Sequence, residues 1–272
     1  MAGELPDSIE AGLRTLVSVA PVDESRAKRH YRERVQPLFW NRPYVYLRTW
    51  YSYGRHHDAP LDPFRVLWVH HDNITHHQYP GPKGGAENKR LGFVVDGDWD
   101  RDRTPLNEFG RWTFIRDYFE RDIPAEETDF FELFCRRLEE RGSYWHGCTS
   151  VEEFHDRVSY LENLYAEIRD NGIKTTRQLI EEGAYRGPYP ENIHVNIGHD
   201  GTLIALAGKH RLAIAQVLDI GYIPVNVMVR HADWQATRDA VSCAENPAEL
   251  DSEYREYLYH PDVVSLWDTS NG

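Results

Sequence analysis

The chain has few of the residues that mark secreted, zinc-binding or membrane-spanning proteins. Its 272 residues include only three cysteines, and no two of them form a C-x-x-C pair. This scarcity excludes a disulfide framework and a zinc ribbon, and it predicts a cytoplasmic protein in a reducing compartment. No segment approaches the roughly 20 apolar residues that a membrane span requires, and the amino terminus lacks a signal-peptide pattern.

Basic residues are in the minority as well. The chain carries 31 Lys and Arg against 44 Asp and Glu, which gives a net charge of −13 at pH 7 and a pI of about 5.5. Such a balance disfavours nucleic acid and anionic membranes as partners, because the protein's overall field repels polyanions. A local basic pocket within an acidic protein would instead select small phosphorylated ligands.

Apolar periodicity predicts a mixed α/β (α+β) fold. Strands are predicted at 43–50, 64–70, 90–95, 193–197, 202–206 and 223–229, and a loop at 79–87. Helices are predicted at 25–35, 109–121, 128–141, 150–171 and 175–182, near 247–259, and from Gly208 onward. For the longest helix, Ser150 with Glu153 predicts a capping box and Gly172 predicts the end.

The most informative segment is 192–230. It reads as a strand, a tight turn, a second strand, a helix that opens with G-K-H-R, and a final strand. The glycine permits close approach of a ligand, the helix start offers unpaired N–H groups, and three basic residues share its first turn. This pattern predicts a phosphate site; a glycine-led helix start with incidental basic residues is the alternative. The residues assigned to ligand binding are Asp200, Gly201, Gly208, Lys209, His210 and Arg211.

The same segment resembles the second half of the ParB/sulfiredoxin fold, where a DG turn, a strand, G-x-H-R at a helix start and an I-P-V strand follow in this order. That superfamily includes CTP-binding partition proteins, sulfiredoxin and free-serine kinases. In its nucleotide-using members the corresponding turn holds the phosphates. The resemblance implies a mixed-sheet core at 90–232 with a helical insertion at about 105–149, an N-terminal extension at 1–89, and a C-terminal helical tail at 233–272.

Two departures narrow what the resemblance implies. Lys209 stands where sulfiredoxin carries its reactive cysteine, so a sulfinic-acid reductase is disfavoured. About forty residues follow Val229, too few for the DNA-reading domain and dimerisation tail of a partition protein.

What remains is a nucleotide-dependent phosphotransferase that uses ATP, ADP or CTP with Mg²⁺. Its acceptor would be a small hydroxyl compound, such as an amino acid, a sugar or a lipid head group, and His210 would orient the phosphates. One alternative is a non-catalytic, nucleotide-binding switch module that forms a homodimer. A weaker alternative is a ParB-like nuclease, which the acidity of the chain opposes.

An acidic turn, V-V-D-G-D-W-D, follows the predicted strand 90–95. Asp96, Asp98 and Asp100 are the expected catalytic carboxylates, since groups at strand ends often contact ligands. Alternation along an extended chain would send all three to one side, where Asp96 and Asp98 hold Mg²⁺ and one aspartate accepts a proton. The assembled core would bring them opposite the G-K-H-R turn. A solvated acidic turn is the alternative.

Three histidine pairs occur at His56-His57, His70-His71 and His76-His77. Together they could bind zinc, but adjacent residues of a strand point to opposite faces and no H-x-x-x-H or H-E-x-x-H spacing is present. Hydrogen-bonding or exposed roles are therefore the main interpretation. The sequence W-H-G-C at 145–148 is interpreted as a packed loop, with pocket lining as the alternative.

Overall fold

The computed structural model describes residues 42–78, 91–183 and 192–268. Across these ranges it contains nine α-helices and one seven-stranded mixed sheet, which confirms the predicted α/β (α+β) class. The predicted helix 25–35 and loop 79–87 lie outside the described residues. No helix in the described part of the chain is long and apolar enough to cross a membrane.

The strands are β1 (Val66–His70), β2 (Ile74–His77), β3 (Phe93–Val95), β4 (Thr104–Pro105), β5 (Ile193–Ile197), β6 (Leu203–Ala207) and β7 (Tyr222–His231). The helices are α1 (Arg42–Ser52), α2 (Gly110–Phe119), α3 (Asp129–Arg141), α4 (Val151–Asn171), α5 (Thr176–Glu181), α6 (Lys209–Val217), α7 (Ala232–Cys243), α8 (Ser252–Arg255) and α9 (Pro261–Asp268).

The sheet has the order β1-β7-β5-β6-β2-β4, and β3 also pairs with β7. Along one side of β7, its first half pairs antiparallel with β1 and its second half pairs parallel with β3. β5 runs parallel to β7 on the other side and forms an antiparallel hairpin with β6. The carboxyl ends of β3, β5 and β7 therefore share one edge of the sheet, while β6 ends at the opposite edge.

The main hydrophobic core joins alternate residues of the central strands to helices α2, α3 and α4. Every residue of β5 is buried, as its position between β6 and β7 requires. Phe114 of α2, Phe134 of α3 and Phe154 of α4 are fully buried in this core. Burying each such side chain contributes roughly 1.5–3 kcal/mol. This layer holds the three helices against the sheet, and α2 and α4 also pack against α6.

Local sequence signals located most helix ends correctly. The side chains of Thr128, Ser150 and Thr175 accept hydrogen bonds from backbone N–H groups at the starts of α3, α4 and α5. The predicted capping box at Ser150 is only half formed, because the Glu153 carboxylate accepts from Thr149 instead. Gly172 ends α4 with a φ of 69°, as predicted.

The prediction of a strand at 43–50 is wrong, because this segment belongs to α1. Its aromatic and β-branched composition favours a strand, but Val45 and Thr49 are buried four residues apart, the spacing of one helix face. Arg48 and Thr49 also donate hydrogen bonds to the Leu91 carbonyl. Tertiary contacts therefore override local propensity here.

Other elements differ from the prediction in extent. The helix predicted near 247–259 is replaced by a 3₁₀ turn at Pro247–Glu249 and the four-residue α8. Strand β2 and helix α7 were not predicted. β2 reads I-T-H-H, and its two histidines hide the apolar alternation of a strand.

A buried ion pair fastens the carboxyl-terminal helix to the central strand. Asp262 of α9 is fully buried and accepts two hydrogen bonds from Arg230 of β7, at 2.8 and 2.6 Å. Its Oδ2 also accepts from Trp234 Nε1 at 3.0 Å and lies 3.2 Å from Arg238 Nε. Burial alone would raise the pKa of Asp262, but the two arginines hold it well below its usual range.

We expect Asp262→Ala to lower the free energy of unfolding by about 3–5 kcal/mol, because it leaves two buried arginines without their carboxylate. Urea unfolding followed by circular dichroism measures this loss. Asp170→Asn is the matched control, since Asp170 pairs with Arg169 in full solvent and should change little. Equal midpoints for Asp262→Ala and the wild type would contradict this role.

Candidate functional site

The predicted G-K-H-R turn begins a helix, as expected. Gly208 precedes α6 in the left-handed conformation, with φ 75° and ψ 23°, and its carbonyl accepts from Leu212 N. A Cβ at this position would lie 3.1 Å from the Ile193 Cα. Both its backbone conformation and its close contact with β5 therefore favour glycine.

Lys209 points across the end of β2. Its ammonium lies 3.4 Å from His77 Nδ1, 3.4 Å from the Gln78 carbonyl oxygen, and 4.9 Å above the Phe109 ring. Burial, followed by the charges of Lys209 and His76, lowers the pKa of His77 to about 4. His77 is thus neutral at pH 7 and accepts from the Lys209 ammonium.

His210 lies among other basic side chains. Its ring centroid is 5.4 Å from that of His146 and 6.1 Å from that of Trp145. Burial, then His146, Arg157 and Arg111, lower the pKa of His210 to about 3. Burial, then Arg157 and Arg111, lower the pKa of His146 to about 4. Both imidazoles are therefore neutral at pH 7 and lie in a positive field.

Arg111, His146, Arg157 and His210 interact electrostatically, and Lys209 precedes His210 at the start of α6; we call these five residues the cationic cluster. They come from α2, α4, α6 and the loop before α4. Arg157 Nε and His210 Nε2 are buried, and neither makes a hydrogen bond to another described residue. Arg157 contacts the Tyr160 ring at 4.8 Å, but no described carboxylate lies within salt-bridge distance of it. An anion is the ligand that would satisfy these groups.

The loop that carries His146 is strained. Trp145, His146 and Gly147 have φ values of 39°, 65° and 88°, so three successive residues occupy the left-handed region and two of them are not glycine. Each non-glycine outlier costs on the order of 1–3 kcal/mol and persists only where its surroundings enforce it. Trp145, which is 1% exposed and packs between Phe114 and Phe130, enforces it here.

The sequence identified only part of this cluster. The sequence assigned Lys209 and His210 to a phosphate site, whereas it did not assign Arg111, His146 and Arg157 to it. Their spacing carries no motif, because the helices that bear them are brought together by tertiary packing. Arg211 of the same turn is half-buried and, like Lys209, is not among the charges that lower the pKa of the two imidazoles.

The predicted acidic turn has a different shape from the expected one. Gly97, with φ 101°, ends the extended segment, and Asp98–Asp100 forms a 3₁₀ turn. The side chains of Asp96, Asp98 and Asp100 therefore do not follow the alternating pattern of an extended strand. Asp96 and Asp98 are exposed, while Asp100 is only 1% exposed. The prediction that the three carboxylates share one side is wrong, because Asp100 is buried while Asp96 and Asp98 are exposed to solvent.

Asp100 lies instead beside the β5-β6 turn. Its Oδ2 accepts hydrogen bonds from His199 N at 2.9 Å and from His199 Nδ1 at 2.6 Å. Asp200 forms an ion pair with Arg103 at 3.2 Å and accepts from Thr202 N. We call Asp100, His199 and Asp200 the edge cluster, because one ligand atom from each lies within 4.8 Å of the others at the carboxyl edge of β3 and β5.

Both carboxylates of the edge cluster are ionised at neutral pH. Burial raises the pKa of Asp100, but hydrogen bonds from His199 outweigh it and the net pKa lies below the ordinary value. Burial also raises the pKa of Asp200, but hydrogen bonds from Arg103 and Thr202 lower it to about 2.

The two clusters lie at opposite ends of the same hairpin. Gly208 contacts Ile193 at the start of β5, whereas Gly198, just after β5, contacts Asp100. Five residue steps of strand correspond to roughly 15 Å. The expectation that the acidic turn faces the G-K-H-R turn is therefore wrong.

The histidine pairs do not form one metal site. His57 donates to Asp239 at 2.7 Å, His71 lies near Asp72 and Asp219, and His77 contacts Lys209. Within the described ranges, the pairs contribute only one group of three possible metal ligands, His70, His71 and Asp72.

Comparison of the chain with protein-family models, with curated proteins and with solved structures found no match. The resemblance drawn from the G-K-H-R segment therefore stays an untested prediction.

We expect the cationic cluster to make stability depend on pH. The folded-state pKa values of His146 and His210 lie near 4 and 3, below the unfolded value of about 6.5. Between these limits the unfolded chain binds protons that the native protein does not, so the free energy of unfolding falls as pH falls below 6.5. Urea unfolding from pH 7 to pH 4 should show a shallower decline for His146→Asn/His210→Asn. Identical slopes would contradict the two low pKa values.

Proposed function

We propose that this protein binds a phosphorylated small molecule, specifically a nucleotide, at the cationic cluster. The observation that carries the proposal is the convergence of Arg111, Arg157 and Lys209 on the start of α6 in a chain of net charge −13. Positive side chains gathered around one helix start repel one another, and a phosphate bound among them would offset that repulsion.

Each member of the cluster has a separate part in this proposal. The backbone N–H groups at the start of α6 would donate to a phosphate and the positive dipole end would attract it, as helix starts do in many proteins. Arg157 and Arg111 provide planar guanidinium groups that can donate two hydrogen bonds to one phosphate. The neutral His146 and His210 donate single hydrogen bonds without adding charge.

Binding without chemistry, as in a nucleotide-responsive switch, is the form that the geometry favours. Asp96 and Asp98 are exposed and belong to the turn at the far end of the hairpin, roughly 15 Å from Gly208 by the strand rise. They are therefore poor candidates for coordinating Mg²⁺ beside a phosphate bound at α6. A nuclease is disfavoured by the acidity of the chain.

Nucleotide-dependent phosphotransfer to a small hydroxyl acceptor is the second candidate. The observation in its favour is Asp100, a buried carboxylate hydrogen-bonded to a half-exposed histidine, His199. This pair could accept a proton from a hydroxyl if the ligand extends along the hairpin from the cationic cluster. In this candidate Asp100 and His199 take the catalytic role that the sequence assigned to the whole acidic turn.

We expect Arg157→Gln to weaken nucleotide binding by roughly 10- to 100-fold, the worth of one hydrogen bond to a charged group. Isothermal titration calorimetry with ATP, ADP and CTP, with and without Mg²⁺, measures the dissociation constants of the two proteins. Arg169→Gln is the control on the same helix, because Arg169 is fully exposed and pairs with Asp170. The proposal is contradicted if Arg157→Gln binds nucleotide as tightly as the wild type does, or if the wild type binds no nucleotide.

Turnover separates the two candidates. The protein is incubated with each nucleotide and a panel of amino acid, sugar and lipid head-group hydroxyl compounds, and products are followed by ³¹P NMR. Phosphotransfer predicts a phosphorylated product that Asp100→Asn abolishes while nucleotide affinity stays within about threefold. Binding without any product supports the switch.

A further inference from the structure

We propose that the edge cluster of Asp100, His199 and Asp200 binds a divalent transition-metal ion. The site is separate from the cationic cluster and does not depend on nucleotide binding there. It involves neither Asp96 nor Asp98, the residues for which the sequence pattern predicted a metal.

The distances nearly match those of a metal site. One ligand atom from each residue lies within 4.8 Å of the other two. Bonds of about 2.0–2.2 Å to a central ion require ligand atoms within about 4.4 Å of one another. At the usual angles of about 90–110° between ligands the spacing is roughly 3.0–3.6 Å, so side-chain shifts of about 1 Å would bring the three residues onto one ion.

The charges also call for a cation. Asp100 is 1% exposed, its Oδ2 accepts the two hydrogen bonds from His199, and its Oδ1 is buried with no hydrogen bond from another described residue. Arg103 pairs with Asp200, so one of the two carboxylates already has a counterion. The carboxylate of Asp100 has no Lys or Arg within salt-bridge distance in the described part of the chain. A buried carboxylate of this kind is stabilised by a bound ion.

The turn that carries the ligands is held rigidly. Gly198 has no side chain, and a Cβ there would lie 2.7 Å from Asp100 Oδ2 and 3.1 Å from Asp200 Oδ1. Gly201 packs directly on the Trp234 ring, and its carbonyl accepts from His260 Nε2 at 3.0 Å. Ligands fixed in this way lose little entropy when an ion binds.

The donor set selects the ion. One imidazole and two carboxylates suit Mn²⁺, Fe²⁺ or Zn²⁺ better than Ca²⁺, which takes oxygen ligands. The side chains of His199 and Asp200 are 40% and 38% exposed, so the site is open to solvent on one side. Water or a ligand oxygen could complete the coordination there.

The competing account is an ordinary hydrogen-bonded pair, since His199 Nδ1 lies 2.6 Å from Asp100 Oδ2. The chain offers a matched control for it. His57 and Asp239 form a similar pair at 2.7 Å, but they are not part of any group of three ligands among the described residues. If Asp100 and His199 form only a hydrogen-bonded pair, substitution of His199 should affect metal binding no more than substitution of His57 does.

The test uses the full chain, stripped with chelator and titrated without nucleotide. Mn²⁺ is followed by electron paramagnetic resonance and Zn²⁺ by calorimetry. We expect one ion per chain, with affinity reduced at least tenfold in Asp100→Asn and His199→Gln and unchanged in His57→Gln. Circular dichroism and thermal unfolding confirm that each variant is folded.

Three results would overturn the proposal. The wild type could bind neither ion at millimolar concentration. Asp100→Asn and His199→Gln could both bind as the wild type does. Binding could instead be lost in His70→Gln, which would assign the ion to the group of His70, His71 and Asp72. Because no nucleotide is present, failure here leaves nucleotide binding at the cationic cluster separately testable.

Discussion

The buried contact between Asp262 and Arg230 is the interaction on which both the sheet edge and its loops depend. It fixes α9 to the carboxyl end of the central strand β7, one residue before His231, whose Nε2 lies 2.7 Å from the carbonyl oxygen of Gly97. The same carboxylate accepts a hydrogen bond from Trp234, whose ring packs against Gly201. Removing water from three charged groups is expensive, and only mutual hydrogen bonding makes that burial tolerable. The edge cluster therefore rests on a segment near the end of the chain.

Opposite charges are kept apart along the β5-β6 hairpin. Lys209 and its basic neighbours lie at the end near Gly208, whereas Asp100 and Asp200 lie at the end near Gly198. At roughly 15 Å, exposed charges are screened by physiological salt, so the two clusters do not neutralise each other. One cluster gathers cationic side chains and the other gathers carboxylates, and this is the physical basis for assigning an anionic ligand to one and a cation to the other.

Local signals in the sequence were reliable where backbone chemistry decides the structure. Gly208 and Ser150 mark helix starts because a left-handed cap and a hydroxyl acceptor act within one turn. The strand prediction for 43–50 was wrong because burial of one helix face outweighed the strand propensity of its aromatic residues. Likewise, Gly97 turned the chain between Asp96 and Asp98 and ended the alternation on which their convergence depended. Arg157 could not be assigned to the site, because its position depends on how α4 packs.

The most direct test is a crystal structure of the protein with ADP and Mn²⁺. The account predicts phosphate density at the start of α6, within hydrogen-bond distance of Arg157 and the His210 backbone N–H. Phosphate bound elsewhere, with Arg157 still contacting only Tyr160, would contradict it.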